Sequence, residues 1–206
     1  MALSSSDEKC KGEASRAIAY LSANIDVQHI LLQEGAIQPI VDAFTSSDIN
    51  CQRFAALCIA NLATSASSQM KVVKGGAIRP LVSIIKDSGC QLEARRYPAL
   101  ALANLSAFIA NHPALLEEEE ILDALFSLAN SPDALSKYYV GCTLANFTCN
   151  ISNHELIVEK GGLQPIISLA YNTDPNIQQQ AASVLRGLSV TEGLNMKIVQ
   201  EAWNHS

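Results

Sequence analysis

Apolar residues along this chain fall at steps of three and four, as in Phe54, Leu57, Cys58 and Leu62, the spacing that lines one face of an α-helix. No segment alternates apolar and polar residues as a strand would, so the pattern predicts an all-α fold. The blocks also recur. Gly35-Ala36-Ile37-Gln38-Pro39 returns as Gly76-Ala77-Ile78-Arg79-Pro80 and as Gly161-Gly162-Leu163-Gln164-Pro165, with the prolines 41 and then 85 residues apart. The skipped copy falls on Ile121-Leu122-Asp123, with aspartate in the proline slot. Ala60-Asn61-Leu62, Ala103-Asn104-Leu105 and Ala145-Asn146-Phe147 keep the same beat, at separations of 43 and 42. One period outward lies Ala19-Tyr20-Leu21 on one side and Arg186-Gly187-Leu188 on the other. An apolar pair precedes each glycine slot: Leu31-Leu32, Val72-Val73, Leu115-Leu116, Ile157-Val158 and Ile198-Val199.

Each period reads as three helices. A short one ends at the glycine, which adopts the left-handed backbone that stops a helix. The next carries proline in its first turn, where the missing N–H costs nothing, over Pro39 to Phe44, Pro80 to Ile85 and Pro165 to Ala170. The third is longer and alanine-rich, and follows capping residues in Ser46-Ser47-Asp48, Asp87-Ser88-Gly89, Ser131-Pro132-Asp133 and Asn172-Thr173-Asp174. The whole chain, 1–206, is expected to form one domain: a lone third helix at 7–23, full repeats at 24–64, 65–107, 108–149 and 150–190, and a broken repeat at 191–206. Two departures stand out. Glu117 to Glu120 replace the glycine corner and predict a solvated turn. Pro98 falls inside a third helix and predicts a kink or a late start. The array begins and ends mid-repeat, so a longer chain, or ends that meet a partner, is expected.

A two-helix HEAT array can share this repeat length. The glycine–proline corner and the Ala-Asn-Leu near the end of each long helix instead resemble the armadillo family, over nearly the whole chain. That resemblance implies a right-handed armadillo-type α-solenoid whose third helices line a concave groove suited to an extended peptide. The family's ladder of asparagines maps onto Asn61, Asn104 and Asn146, while Tyr20 and Gly187 depart from it. An amide carries donor and acceptor together, so it can pair with a peptide backbone of any sequence. The alternative is that these asparagines brace neighbouring helices. About two turns earlier lie Arg53-Phe54, Arg96-Tyr97 and Tyr138-Tyr139, with Lys137 nearby. Arg53 and Arg96 suit carboxylates, and Phe54, Tyr97 and Tyr139 offer aromatic contact surface. The alternatives are an internal salt bridge for the arginines and core packing for the aromatics. Four positions before each asparagine, nuclear-import receptors of this family carry tryptophan, whereas this chain has Leu57, Leu100 and Cys142. It is more similar to membrane-tethered and cytosolic armadillo adaptors.

Composition narrows the field. The chain is 49% hydrophobic and 17% charged, so it is globular rather than disordered, and its net charge of −6 argues against general nucleic-acid binding. No run of about 18 apolar residues spans a bilayer. Met1 to Lys11 lacks a signal peptide's apolar segment, and Ala2 and Leu3 replace the glycine that acylation needs. None of the six cysteines forms a C-x-x-C pair, and Cys51/Cys58 and Cys142/Cys149 are each seven apart, consistent with reduced thiols packed in helices. Asn104, Asn146 and Asn150 each head a glycosylation triplet, and a sugar on either of the first two would block the groove. These features point to the cytoplasm, with the nucleus or an organelle surface reached through partners. His154-Glu155 begins like a zinc-protease helix, but Val158 stands where the second histidine belongs, and His29, His112 and His205 read as unrelated in phase. No catalytic constellation, metal site or cofactor loop is expected. The expected function is a non-catalytic scaffold or adaptor for an extended, partly acidic peptide; the alternatives are a nuclear-import type cargo binder and a structural spacer.

Overall fold

The structure, a computed structural model, describes Leu3, residues 7–87 and residues 89–204; Met1, Ala2, Ser88 and His205, named above, lie outside them. The described residues form fourteen α-helices joined by short 3-10 turns, with no strand. Helix α1 (Glu8–Leu21) stands alone. Then the helices fall in threes: α2 (Ile25–Gln33), α3 (Ile37–Asp42) and α4 (Ile49–Leu62); α5 (Ala66–Lys74), α6 (Ile78–Lys86) and α7 (Arg96–Ser106). The next sets are α8 (His112–Leu116), α9 (Ile121–Ala129) and α10 (Ala134–Phe147), then α11 (His154–Glu159), α12 (Leu163–Ala170) and α13 (Pro175–Leu188). Helix α14 (Leu194–Asn204) follows. No single helix among the described residues is long and apolar enough to cross a membrane.

The corner glycines have the conformation their role requires. Gly35, Gly76 and Gly161 lie at φ of 68°, 80° and 81°, where a side chain would be strained. At two corners the bond that closes a helix end onto its own last turn is present, from Ala36 N–H to the Leu31 carbonyl (2.9 Å) and from Gly162 N–H to the Ile157 carbonyl (2.9 Å). The Glu117–Glu120 corner works differently. Helix α8 has only five residues, and the chain turns through short-range bonds such as Ile121 N–H to the Glu118 carbonyl (3.0 Å), with no left-handed residue. Glu120 reaches back to pair with Lys86.

Pro39, Pro80, Asp123 and Pro165 each take the third position of their helix, still within the first turn, where the backbone N–H has no intrahelical partner. The second helices therefore start about two residues earlier than the prolines suggest. Asp48, Asp133 and Asp174 cap α4, α10 and α13 through their carboxylates. Asp87 does not cap α7; its carboxylate accepts from Gly89 N–H (2.9 Å) in the turn instead. Gln91, not Asp87, stands thirteen residues before its asparagine as Asp48 and Asp133 do, and it gives no side-chain cap; Pro98 then delays the helix itself. A helix beginning at residue 92 would set the proline ring against the carbonyl four residues back, so Leu92–Arg95 forms a 3-10 turn and α7 starts at Arg96, eleven residues long against fourteen in α4.

Third helices stack side by side in the order α1, α4, α7, α10, α13, with the second helices behind them. Between the two layers runs one continuous apolar core that includes Ile59, Leu62, Leu81, Leu102, Leu125, Leu144 and Phe147, all essentially inaccessible to solvent. Cys51 and Cys58 are part of it as small buried residues. Trp203, near the end of α14, is 83% exposed.

Candidate functional site

In α4, α7 and α10 the same four positions are partly buried: Arg53, Phe54, Leu57 and Asn61; Arg96, Tyr97, Leu100 and Asn104; Tyr138, Tyr139, Cys142 and Asn146. One face of each third helix thus packs partly against the core and stays partly open to solvent. The three asparagines occupy equivalent places. Each amide donates to a carbonyl of the preceding third helix: Asn61 to Ala19 (3.0 Å), Asn104 to Ala60 (2.9 Å) and Asn146 to Ala103 (3.2 Å). They brace neighbouring helices, which was the alternative to a binding role. Bracing uses only donors. No described group donates to any of the three amide oxygens, which leaves an acceptor on every rung.

The row ends for a steric reason. A Cβ at Gly187 would stand 2.6 Å from the Thr148 hydroxyl, so the fourth place tolerates only glycine while α10 and α13 approach this closely. At the other end Tyr20 takes the place and is 65% exposed, its ring 6.0 Å from that of Phe54.

The basic pair divides. Arg53 projects between helices, its guanidinium 5.6 Å from the Phe54 ring and 5.4 Å from the Tyr97 ring, and its Nε is buried with no hydrogen-bond partner. No carboxylate among the described residues pairs with it. Arg96 is occupied. Its Nε and Nη2 both donate to Asp133 Oδ1, at 2.9 and 2.6 Å, while Asp133 Oδ2 accepts from Ser136 N–H at the start of α10. Burial would raise the Asp133 carboxyl, but the bonds from Arg96 and Ser136 outweigh it and hold the group below its ordinary value. The same bond raises Arg96 further. Arg96 is therefore corrected from a free ligand-binding fork to half of an inter-repeat ion pair. Burial pushes the Cys142 thiol up, and the Tyr139 hydroxyl is raised chiefly for the same reason.

A second polar row lies hidden behind this one. Gln28, Gln69, Asn111, His112, Asn153 and His154 are all buried, and each donates to a carbonyl six residues earlier at the end of a third helix. The groups also link repeat to repeat: Gln69 donates to the Asn104 carbonyl, Asn111 to Gln69 Oε1, and Asn153 to His112 Nδ1. His112 and His154 thus share a phase, which corrects the reading of His112 as unrelated. Their 42-residue separation was the signal that could have found them. Among the described residues no group of His, Cys, Asp and Glu is placed to hold a metal ion.

A family model described as Armadillo/beta-catenin-like repeat matches residues 152–190. No curated protein matches the chain. Among solved structures, a computationally designed armadillo repeat protein for modular peptide recognition is similar with a TM-score of 0.90 at 20% identity, over 97% of this chain and 84% of that one. A designed armadillo repeat protein in complex with the peptide (KR)4 gives 0.86 at 20% identity, over 97% and 84%. An engineered protein gives 0.89 at 25% identity, over 97% of this chain and 49% of that chain. The fold is an all-α, right-handed armadillo-type solenoid.

Proposed function

We propose that this protein is a non-catalytic scaffold that holds an extended peptide segment of a partner along the exposed face of its third helices. One observation carries the reading. Three successive helices present an unengaged amide oxygen at the same place, beside a cation with no carboxylate of its own. A backbone N–H of the peptide satisfies each oxygen, and an acidic side chain satisfies Arg53. The aromatic rims of Phe54, Tyr97 and Tyr139 add apolar contact at low entropic cost. Similarity to designed peptide binders of this fold supports the reading. Leu57, Leu100 and Cys142, in the slots where import receptors carry tryptophan, favour an adaptor over an import receptor. The buried thiols of Cys51 and Cys58 suit a cytoplasmic setting.

A random dodecapeptide display library panned on the full chain tests this. The expected result is a set of enriched sequences sharing at least one Asp or Glu, whose fluorescein-labelled synthetic copy binds more tightly than (KR)4. Binding should weaken as salt rises. Enrichment of Lys- and Arg-rich peptides, with (KR)4 binding as well, would overturn the acidic preference in favour of import-type cargo. No enrichment above background would reduce the face to that of a spacer.

A further inference from the structure

The three asparagines are not equal, and the difference lies in the helix before each one. An amide nitrogen has two hydrogens. Asn61 gives its second to Ser22 Oγ (3.0 Å), and Asn146 gives its second to Ser106 Oγ (3.1 Å). Both hydroxyls donate to carbonyls of their own helices, Ala19 (2.8 Å) and Ala103 (2.9 Å), so each is fixed as an acceptor toward its asparagine. At the corresponding place before Asn104 the chain has Ala63, fully buried and without a hydroxyl. Asn104 therefore holds one interhelical bond, to the Ala60 carbonyl, and keeps an N–H as well as its oxygen.

An extended backbone offers an N–H and a carbonyl together, and only an amide with both capacities left can clamp them at one residue. Asn61 and Asn146 can accept but have no donor to give. Arg53 lies on the same stretch of groove, because its guanidinium rests over Tyr97, seven positions or about 10 Å along α7 from Asn104. That gap is within the joint reach of an arginine and a glutamate side chain. Arg96 offers no second cation, and Tyr138 stands in the third place.

We infer that Asn104 is the one two-way rung of the row and sets the ligand's register, with an Asp or Glu of the peptide placed close to the clamped residue so that it meets Arg53. This rests on the peptide-binding reading above and adds to it the position and the charge of the anchor.

The probe is the fluorescein-labelled dodecapeptide recovered by panning, titrated against the full chain by polarisation. Ala63→Ser puts a hydroxyl where Ser22 and Ser106 have theirs and should draw off the free N–H of Asn104, weakening binding about two- to tenfold. Ser106→Ala releases the second N–H of Asn146 and should tighten binding by about twofold or more. Moving the peptide's acidic residue one place at a time should give a single affinity maximum, which Arg53→Gln abolishes. Ser106→Ala and the peptide series stand independently should Ala63→Ser fail to fold. A wild-type chain that binds the peptide, with both serine/alanine exchanges silent or with affinity indifferent to acid placement, overturns this register alone. A wild-type chain that binds no peptide overturns the reading on which it rests.

Discussion

Two rows of polar side chains run along the middle repeats of this solenoid, and both reach back to the end of the preceding third helix. The buried row, from Gln28 to His154, spends its donors on carbonyls and on one another, and its spare acceptors, Gln28 Oε1, Asn111 Oδ1 and Asn153 Oδ1, sit on residues shut away from solvent. The half-buried row of Asn61, Asn104 and Asn146 also bonds backwards and retains an acceptor on every rung. Repetition therefore says that a position matters without saying for what. Spare capacity within reach of solvent, which the asparagines have and the buried row lacks, is what separates a surface that can take a ligand from a purely internal brace.

The contrast can be broken most forcefully in the buried row. His112→Leu removes the partner of the Ser106 carbonyl and of the Asn153 amide, both sealed from water, and should destabilise the protein by about 3 kcal/mol in urea unfolding. Peptide affinity measured well below the melting temperature should stay the same. Next in size, Asp133→Ala takes away both the cap of α10 and the partner of Arg96, at about 1–2 kcal/mol. Its pH signature follows from the lowered carboxyl. The stabilisation is complete above the unfolded value of about 3.9 and disappears as pH falls through the lower folded value. Acid melts of the wild type should show this loss and those of the variant should not.

Smaller stability effects belong to the half-buried row. Asn104→Ala loses one interhelical bond, about 1 kcal/mol by thermal melting, yet should reduce affinity for the selected peptide at least tenfold. A loss of stability with no loss of affinity would move Asn104 into the class of braces. Arg53→Gln forfeits ring contacts of about 0.5 kcal/mol and should leave the fold almost untouched, while removing most of the salt dependence of binding.

Much of the architecture is legible from spacing alone, because helix corners are local chemistry. A left-handed glycine, a proline in the first turn and an aspartate cap each act within a few residues, so their order in the chain is their order in space. Pro98 shortened its helix for an equally local reason. The site was harder. Arg96 and Asp133 are 37 residues apart, and the aspartate already had a sufficient role as a cap, so nothing in the pattern marked it as an ion-pair partner. The unequal asparagines depend on Ser22, Ala63 and Ser106, one period upstream of the residues they govern. His112 and His154 are the opposite case: their common phase is legible in the 42-residue separation alone.

The close approach at Thr148 and Gly187 marks where the readable strip stops, and it does so through a single pair of neighbours. Grafting a fourth amide at 187 would take more than trimming Thr148 to alanine, since the added Cβ would also stand 2.7 Å from the Thr148 Cβ; the two backbones would have to part. The asparagine row is thus closed at this end by how tightly two neighbouring helix ends pack, not by any lack of a further helix.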